Sequence, residues 1–321
     1  MSEAAPPVPF DPELEVFLKA MPDTGMGFKL EDVPKLREMS RQFTTDEQLQ
    51  ADGFSVEHRA VPGPQGAPEV PLVIVRPAEE AGPLPVVYSI HGGGMIMGDH
   101  RQALDVMATE WGRELGCAIV SVDYRVAPEN PHPAPVQDCY AGLSWIAEHG
   151  AEHGFDTERI VMTGGSAGGG LAAGVALMSR DLDGPKTIGL LLQAPMLDDR
   201  NDTPSAHQMR GLGIWDQQAN EVGWTALLGD SRGGDDVSPY AAPARAEDLS
   251  GLPPAFIDVG SAETFRDEDV AFATRIWQAG GVAELHVWPG GFHGFRMFPG
   301  AQLSKSAAEA RTAWLRRIVN G

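Results

Sequence analysis

The chain has 321 residues, 42% of them hydrophobic, and only two cysteines. That length suits one large α/β domain with insertions, and two cysteines cannot build a disulfide framework. Acidic residues outnumber basic ones 45 to 24, a net charge of −21, which argues against nucleic acid and anionic membrane surfaces as partners.

The segment Met1-Ser2-Glu3-Ala4-Ala5-Pro6-Pro7 has neither a basic nor an apolar leader, and no apolar run reaches membrane-spanning length, so a cytoplasmic location without stable membrane association is expected. Two short helices come first, Pro12–Ala20 and Leu30–Gln42, broken by Pro22 and Gly25. β-type runs Phe54–Val61 and Val70–Arg76 follow, joined by Pro62-Gly63-Pro64-Gln65-Gly66. That joint is too short for a crossover helix, so the sheet begins antiparallel.

The strand Val86–Ile90 runs into His91-Gly92-Gly93-Gly94, and a helix is expected over Gln102–Leu115. Ala118–Asp123 is apolar enough to be covered on both faces. Asp123-Tyr124-Arg125 then opens a loop stiffened by Pro128, Pro131, Pro133 and Pro135, in which Asp123 and Arg125 are expected to pair and brace the glycine loop. After a helix over Val136–His149, the strand Arg159–Thr163 leads through Gly164-Gly165-Ser166-Ala167-Gly168 into a helix over Ala167–Arg180.

The strand Ile188–Gln193 is followed by an interruption at about 198–250 that contains a helix over Asp216–Leu228. The strand Ala255–Val259, a helix over Asp267–Ala279, the strand Glu284–Trp288 and a helix over Ser304–Val319 complete the chain. Cys117 beside a strand and Cys139 within a helix are small core residues. This alternation describes an α/β fold with a mostly parallel sheet of about eight strands and helices on both faces. Residues 51–321 form the main domain; residues 1–50 and the insertion at 198–250 are left over as a helical cap on the strand ends.

Gly-x-Ser-x-Gly at a strand-to-helix turn is the signature of a nucleophile elbow, where a strained serine is exposed at the end of a strand. A serine hydroxyl needs a base to take its proton and a carboxylate to orient that base. Among nine histidines, His293 follows the last strand and has glycines on both sides, in Gly290-Gly291-Phe292-His293-Gly294-Phe295. The loop after Ala255–Val259 offers Glu263, Asp267, Glu268 and Asp269 as the acid. Asp267 to Asp269 are expected to serve as partners of a helix dipole, whereas Glu263 lies earlier, within reach of His293. The order Ser166, Glu263, His293 is that of nucleophile, acid and base in α/β-hydrolases. The amides of Gly92, Gly93 and Ala167 would hold an oxyanion, with His91 fixing their loop.

His91-Gly92-Gly93-Gly94, Asp123-Tyr124-Arg125-Val126-Ala127-Pro128-Glu129, Gly164-Gly165-Ser166-Ala167-Gly168-Gly169 and Phe292-His293-Gly294-Phe295 stand in register, and with them the chain resembles bacterial esterases of the hormone-sensitive lipase family. The resemblance runs from about residue 70 to the C-terminus. It implies the α/β-hydrolase fold, hydrolysis of small or short-acyl carboxylic esters through a covalent acyl-enzyme, no metal or organic cofactor, and pairing into a homodimer through the last strand and helix. Two positions depart from the family pattern: Gly165 replaces the usual Asp of the elbow, and Glu263-Thr264-Phe265-Arg266-Asp267-Glu268 stands for the usual Asp-Pro-Leu-Arg-Asp-Glu, placing Glu263 at the acid position. Met95, Ile96, Met97, Leu212, Ile214, Trp215 and Trp224 are candidates to line the substrate pocket, though any could equally be core. The same triad on a lactone or amide is the alternative. A non-catalytic ligand receptor, as among plant hormone receptors resembling this family, would lack the base that His293 supplies.

Overall fold

The computed structural model describes residues 5–21, 28–39, 44–80 and 82–321. Ahead of the sheet lie α1 (Pro12–Ala20), α2 (Val33–Met39) and α3 (Asp46–Ala51). α1 starts where Asp11 accepts the amides of Glu13 and Leu14, and α3 where Thr45 and Gln48 cap each other reciprocally. The expected break at Pro22 and Gly25, and the end of the second helix beyond Met39, lie outside the described residues.

The sheet comprises β1 (Phe54–Val61), β2 (Val70–Pro77), β3 (Leu84–Ile90), β4 (Ala118–Val122), β5 (Phe155–Gly165), β6 (Gly189–Gln193), β7 (Ala255–Gly260) and β8 (Ala283–Trp288), in the spatial order β1-β2-β4-β3-β5-β6-β7-β8. β1 and β2 pair antiparallel, as does β2 with β4, and the remaining pairs are parallel. β5 begins at Phe155, four residues before the predicted start at Arg159, because Leu84 and Pro85 pair with Phe155 and Asp156 before a shift in register brings Val86 opposite Ile160.

Alternate residues along each strand point to opposite faces, and the two faces have separate cores. Tyr88, Val120, Met162 and Ile257 pack with α5 (Ala134–His149), α6 (Ala167–Asp181) and α9 (Arg266–Gln278), whereas Val87, Ile119, Val161 and Phe256 pack with α4 (Leu104–Met107) and α10 (Gln302–Asn320). The helix predicted over Gln102–Leu115 is shorter: Ala103 sits at φ 58, α4 starts after it, and Ala108–Arg113 continues as π-helical turns. Such widened turns let a helix bend onto a surface that regular pitch would miss. Within 198–250 are α7 (Pro204–Gln208) and α8 (Gln217–Leu228), and the buried Asp199, paired with the partly buried Arg245 at 2.7 Å, ties the two ends of the segment together.

The register decides where the loops emerge. Ile90 lies opposite Gly164, Gly165 opposite Gln193, and Gly260 opposite Trp288. The loops after β3, β5, β7 and β8 therefore open at one carboxyl edge of the sheet, where ligands of parallel α/β sheets are held.

Candidate active site

Ser166 lies between β5 and α6 with φ 57 and ψ −126, a conformation that few non-glycine residues occupy and that costs backbone energy unless its surroundings enforce it. They do so here: the Ser166 amide donates to Gln193 O at 2.9 Å, and its carbonyl accepts from Gly170 and Met196 at 3.1 and 3.0 Å. Gly168 has no room for a side chain, because a Cβ there would run into the Ile90 and His91 backbone. α6 is thus pressed against the end of β3, with its first turn beneath the serine, where its dipole favours negative charge.

His293 Nε2 lies 3.0 Å from Ser166 Oγ, and Nδ1 lies 3.0 and 3.1 Å from the two carboxylate oxygens of Glu263. Glu263 is 1% exposed and also accepts the Phe265 amide at 3.3 Å. The Phe265 ring meets the imidazole edge-on at 5.1 Å, so packing fixes the ring plane while Glu263 fixes the tautomer. Asp267 points elsewhere, accepting the Ser205 amide and Arg266 Nε, each at 2.8 Å. Of the acids in this loop, Glu263 is the one brought to the imidazole.

The expectation for Asp267 to Asp269 as dipole partners fails for the second and third of them. Asp269 is wholly buried, with neither carboxyl oxygen hydrogen-bonded among the described residues, and Glu268 is nearly so, with one oxygen accepting the Leu197 and Asp198 amides. Burial, compounded in Asp269 by the negative charges of Glu268, Glu263 and Asp258, pushes both carboxyls well above the usual range. A protonated acid gives a helix dipole no charge to interact with.

The glycine loop also differs from expectation. The Gly92 amide, assigned from the sequence to the oxyanion hole, donates to Gln102 Oε1 at 3.1 Å. Among the described residues the amides of Gly93, Gly94 and Ala167 donate to no protein acceptor. Gly93 and Gly94 have φ 114 and 63, and the first of these is open only to glycine. Nothing in the sequence separates Gly92 from Gly94, since the distinction rests on a side chain ten positions away. His91 does fix the loop: its Nδ1 lies 2.8 Å from Gly92 O, its ring stacks on Tyr124 at 4.1 Å, and Tyr124 donates to its carbonyl at 2.9 Å. Burial pushes the His91 imidazole below its usual range, so it stays neutral. The predicted Asp123–Arg125 brace is absent. Arg125 instead forks onto the buried Asp138 at 2.7 and 2.8 Å, and Asp123 faces His100 at 3.4 Å, because α5 presents Asp138 beneath the loop.

Of the pocket candidates, Trp215 reaches the site: its ring lies where a side chain on Gly94 would be, 6.3 Å from the imidazole, and its carbonyl accepts from Thr264 Oγ1 at 2.6 Å. Ile214 packs near Gly294. Met95, Ile96 and Trp224 are fully buried in the main core, Met97 packs against it, and Leu212 is half-exposed. Among the described residues no group of three His, Cys, Asp or Glu side chains converges as a metal site, and no helix is long and apolar enough to cross a membrane.

Residues 86–297 match the family described as alpha/beta hydrolase fold. A carboxylesterase of Mycobacterium tuberculosis, NlhH, is 35% identical over 306 residues, covering 94% of this chain and 92% of its own. Esterase LipI of the same organism is 32% identical over 285 residues, covering 89% and 87%. Among solved structures, a bacterial heroin esterase superposes with a TM-score of 0.89 at 38% identity, covering 97% of this chain and 98% of that one. Esterase LipW of Mycobacterium marinum gives a TM-score of 0.83 at 31% identity, with 96% of each chain covered.

Proposed function

The chain belongs to the alpha/beta hydrolase family, in the branch resembling hormone-sensitive lipase, and on that premise we propose that it is a carboxylesterase cleaving small, short-acyl esters through Ser166, His293 and Glu263. The observation that carries this is the unbroken relay of contacts from Ser166 Oγ through the imidazole to Glu263, at 3.0 and 3.0 Å. His293 Nε2 takes the hydroxyl proton as Ser166 Oγ attacks the ester carbonyl. Glu263 stabilises the resulting imidazolium, and the amides of Gly93, Gly94 and Ala167 receive the oxyanion. The imidazolium then protonates the departing alcohol. A water deprotonated by the same nitrogen attacks the acyl-enzyme, releasing the acid and free Ser166.

We assign the cap to the two segments outside the alternating fold. Support comes from Phe28, whose ring lies 5.7 Å from Trp215, from Phe10 edge-on to Phe292 at 5.7 Å, and from Arg37, which donates to Ile96 O and Ala127 O at 2.6 and 2.8 Å. The Trp215 ring stands over Gly94, against the glycine loop. A cytoplasmic location belongs to the same proposal.

A fluorogenic acyl-chain series tests it. Acetyl and butyryl esters should be turned over faster than long-chain esters, lactones or anilides, Ser166→Ala should lose roughly 10⁶-fold in kcat, and an organophosphate should label Ser166 stoichiometrically. Faster turnover of emulsified long-chain triglyceride would refute the substrate class, and an unlabelled Ser166 would refute the mechanism.

A further inference from the structure

Three successive residues of the glycine loop have positive φ: Gly93 at 114, Gly94 at 63 and Met95 at 65. Met95 carries a side chain, so it keeps a left-handed conformation only where its surroundings enforce it. The contacts that enforce it also aim an oxyanion amide. The Gly93 carbonyl accepts the amides of Ile96 and Met97 at 3.1 and 3.0 Å. That carbonyl and the Gly94 amide belong to one trans peptide unit and point to opposite sides of it. Fixing the carbonyl onto the turn at 95–97 therefore directs the Gly94 N–H away from that turn.

The turn is itself held from outside. The Met95 carbonyl accepts the Ala127 amide at 2.9 Å. Ile96 and Ala127 are fully buried, so their carbonyls need donors from the protein. Arg37 of α2 serves both: its Nε donates to Ile96 O at 2.6 Å, and a terminal nitrogen donates to Ala127 O at 2.8 Å. The Glu129 carboxylate accepts from the two terminal nitrogens at 2.9 and 2.8 Å, a forked pairing that fixes the guanidinium plane. One side chain from a helix ahead of the sheet thus grips the strained loop at two carbonyls.

We propose that Arg37 is a positioning residue for the oxyanion hole, resting on the assignment of the Gly94 amide above: by clamping the carbonyls of Ile96 and Ala127 it locks the peptide between Gly93 and Gly94 with its N–H toward the developing negative charge. Without the clamp, two buried carbonyls lose a donor, the left-handed turn relaxes, and the Gly94 amide swings off its line. The loss falls on the transition state, where the oxyanion exists, and spares the ground-state ester.

The test compares wild type with Arg37→Met, which removes every donor at similar length, and Arg37→Lys, which keeps the charge but lacks the planar fork. On a soluble short-chain ester, Arg37→Met should lower kcat about 10-fold with KM within about 2-fold, less than the loss of a whole oxyanion donor because the amide is misaimed and not removed. Two inhibitors separate positioning from general loosening. A short-chain trifluoromethyl ketone accepts Ser166 Oγ at its carbonyl carbon, passes the hydroxyl proton to His293 and leaves an oxyanion, whereas the matching methyl ketone binds without adding. In Arg37→Met the inhibition constant of the trifluoromethyl ketone should rise about 10-fold and that of the methyl ketone stay within about 2-fold; Arg37→Lys should show roughly 3-fold losses in kcat and in trifluoromethyl ketone binding. Equal weakening of both ketones in Arg37→Met overturns the proposal, as does wild-type kcat or wild-type trifluoromethyl ketone binding. If Arg37→Met fails to fold, Arg37→Lys decides, and wild-type trifluoromethyl ketone binding there overturns it. The wild type separates the two levels. If it is unlabelled by an organophosphate and binds both ketones alike, the triad and oxyanion assignments fall; if it is labelled and prefers the trifluoromethyl ketone while the variants match it, only the role of Arg37 falls.

Discussion

Glu263→Gln is the substitution that most directly tests the acid. Both Glu263 oxygens lie close to His293 Nδ1, at 3.0 and 3.1 Å. A glutamine in this place sets its NH₂ group at one of those positions and its carbonyl oxygen at the other, so a donor now competes with the acceptor that should hold Nδ1–H. An NH₂ group facing Nδ1 favours the tautomer with Nδ1 unprotonated and the proton on Nε2, where it blocks the lone pair that should accept from Ser166. The negative charge that stabilises the imidazolium is lost as well. Neutralising a triad acid with the geometry kept costs about 10⁴ in kcat, so a loss of 10³–10⁴, or roughly 4–5.5 kcal/mol of transition-state stabilisation, is expected, with KM little changed. Asp267→Asn is the control: its carboxylate holds the Ser205 amide and Arg266, so kcat should stay within about 3-fold and only stability should fall, by roughly 1 kcal/mol. Steady-state hydrolysis of a soluble short-chain ester, normalised to organophosphate-titrated sites, gives both numbers. If Glu263→Gln keeps more than a tenth of wild-type kcat, or Asp267→Asn loses a hundredfold, the assignment is wrong.

Gly94→Ala should lower kcat by roughly 10², since the new methyl group meets the Trp215 ring beside an oxyanion amide. Gly116→Ala, at a similar φ of 66 with nothing near its Cβ, should lose about 1 kcal/mol of stability and keep kcat; equal kcat in the two variants would contradict the oxyanion assignment. The third prediction concerns pH. Because the folded protein holds the Asp269 proton above the ordinary carboxyl value of 3.8, it binds more protons there than the unfolded chain, and stability falls as pH rises from that value through the raised one. Thermal melts of Asp269→Asn should therefore decline less steeply with pH than those of wild type, with the variant gaining at neutral pH and losing its advantage below about pH 4; parallel curves would show that Asp269 carries no such linkage.

Some features were legible because their causes are local. The serine turn and the tri-glycine loop need glycine wherever backbone passes backbone, and the inner strands declare themselves by apolar runs that prove covered on both faces. The chain order of Ser166, Glu263 and His293 was readable for the same reason, each following a recognisable strand. What the sequence could not settle depends on neighbours distant along the chain. Gly92 and Gly94 are chemically identical until Gln102 engages one amide, and Arg125 has an acid two residues away yet bonds to Asp138, because α5 places that carboxylate beneath it. Asp269 reads as a charged helix start until packing removes it from water. Local geometry is written in residue type and spacing. Charge state and hydrogen-bond partner follow from what the folded chain brings alongside, and desolvation makes those choices energetically decisive.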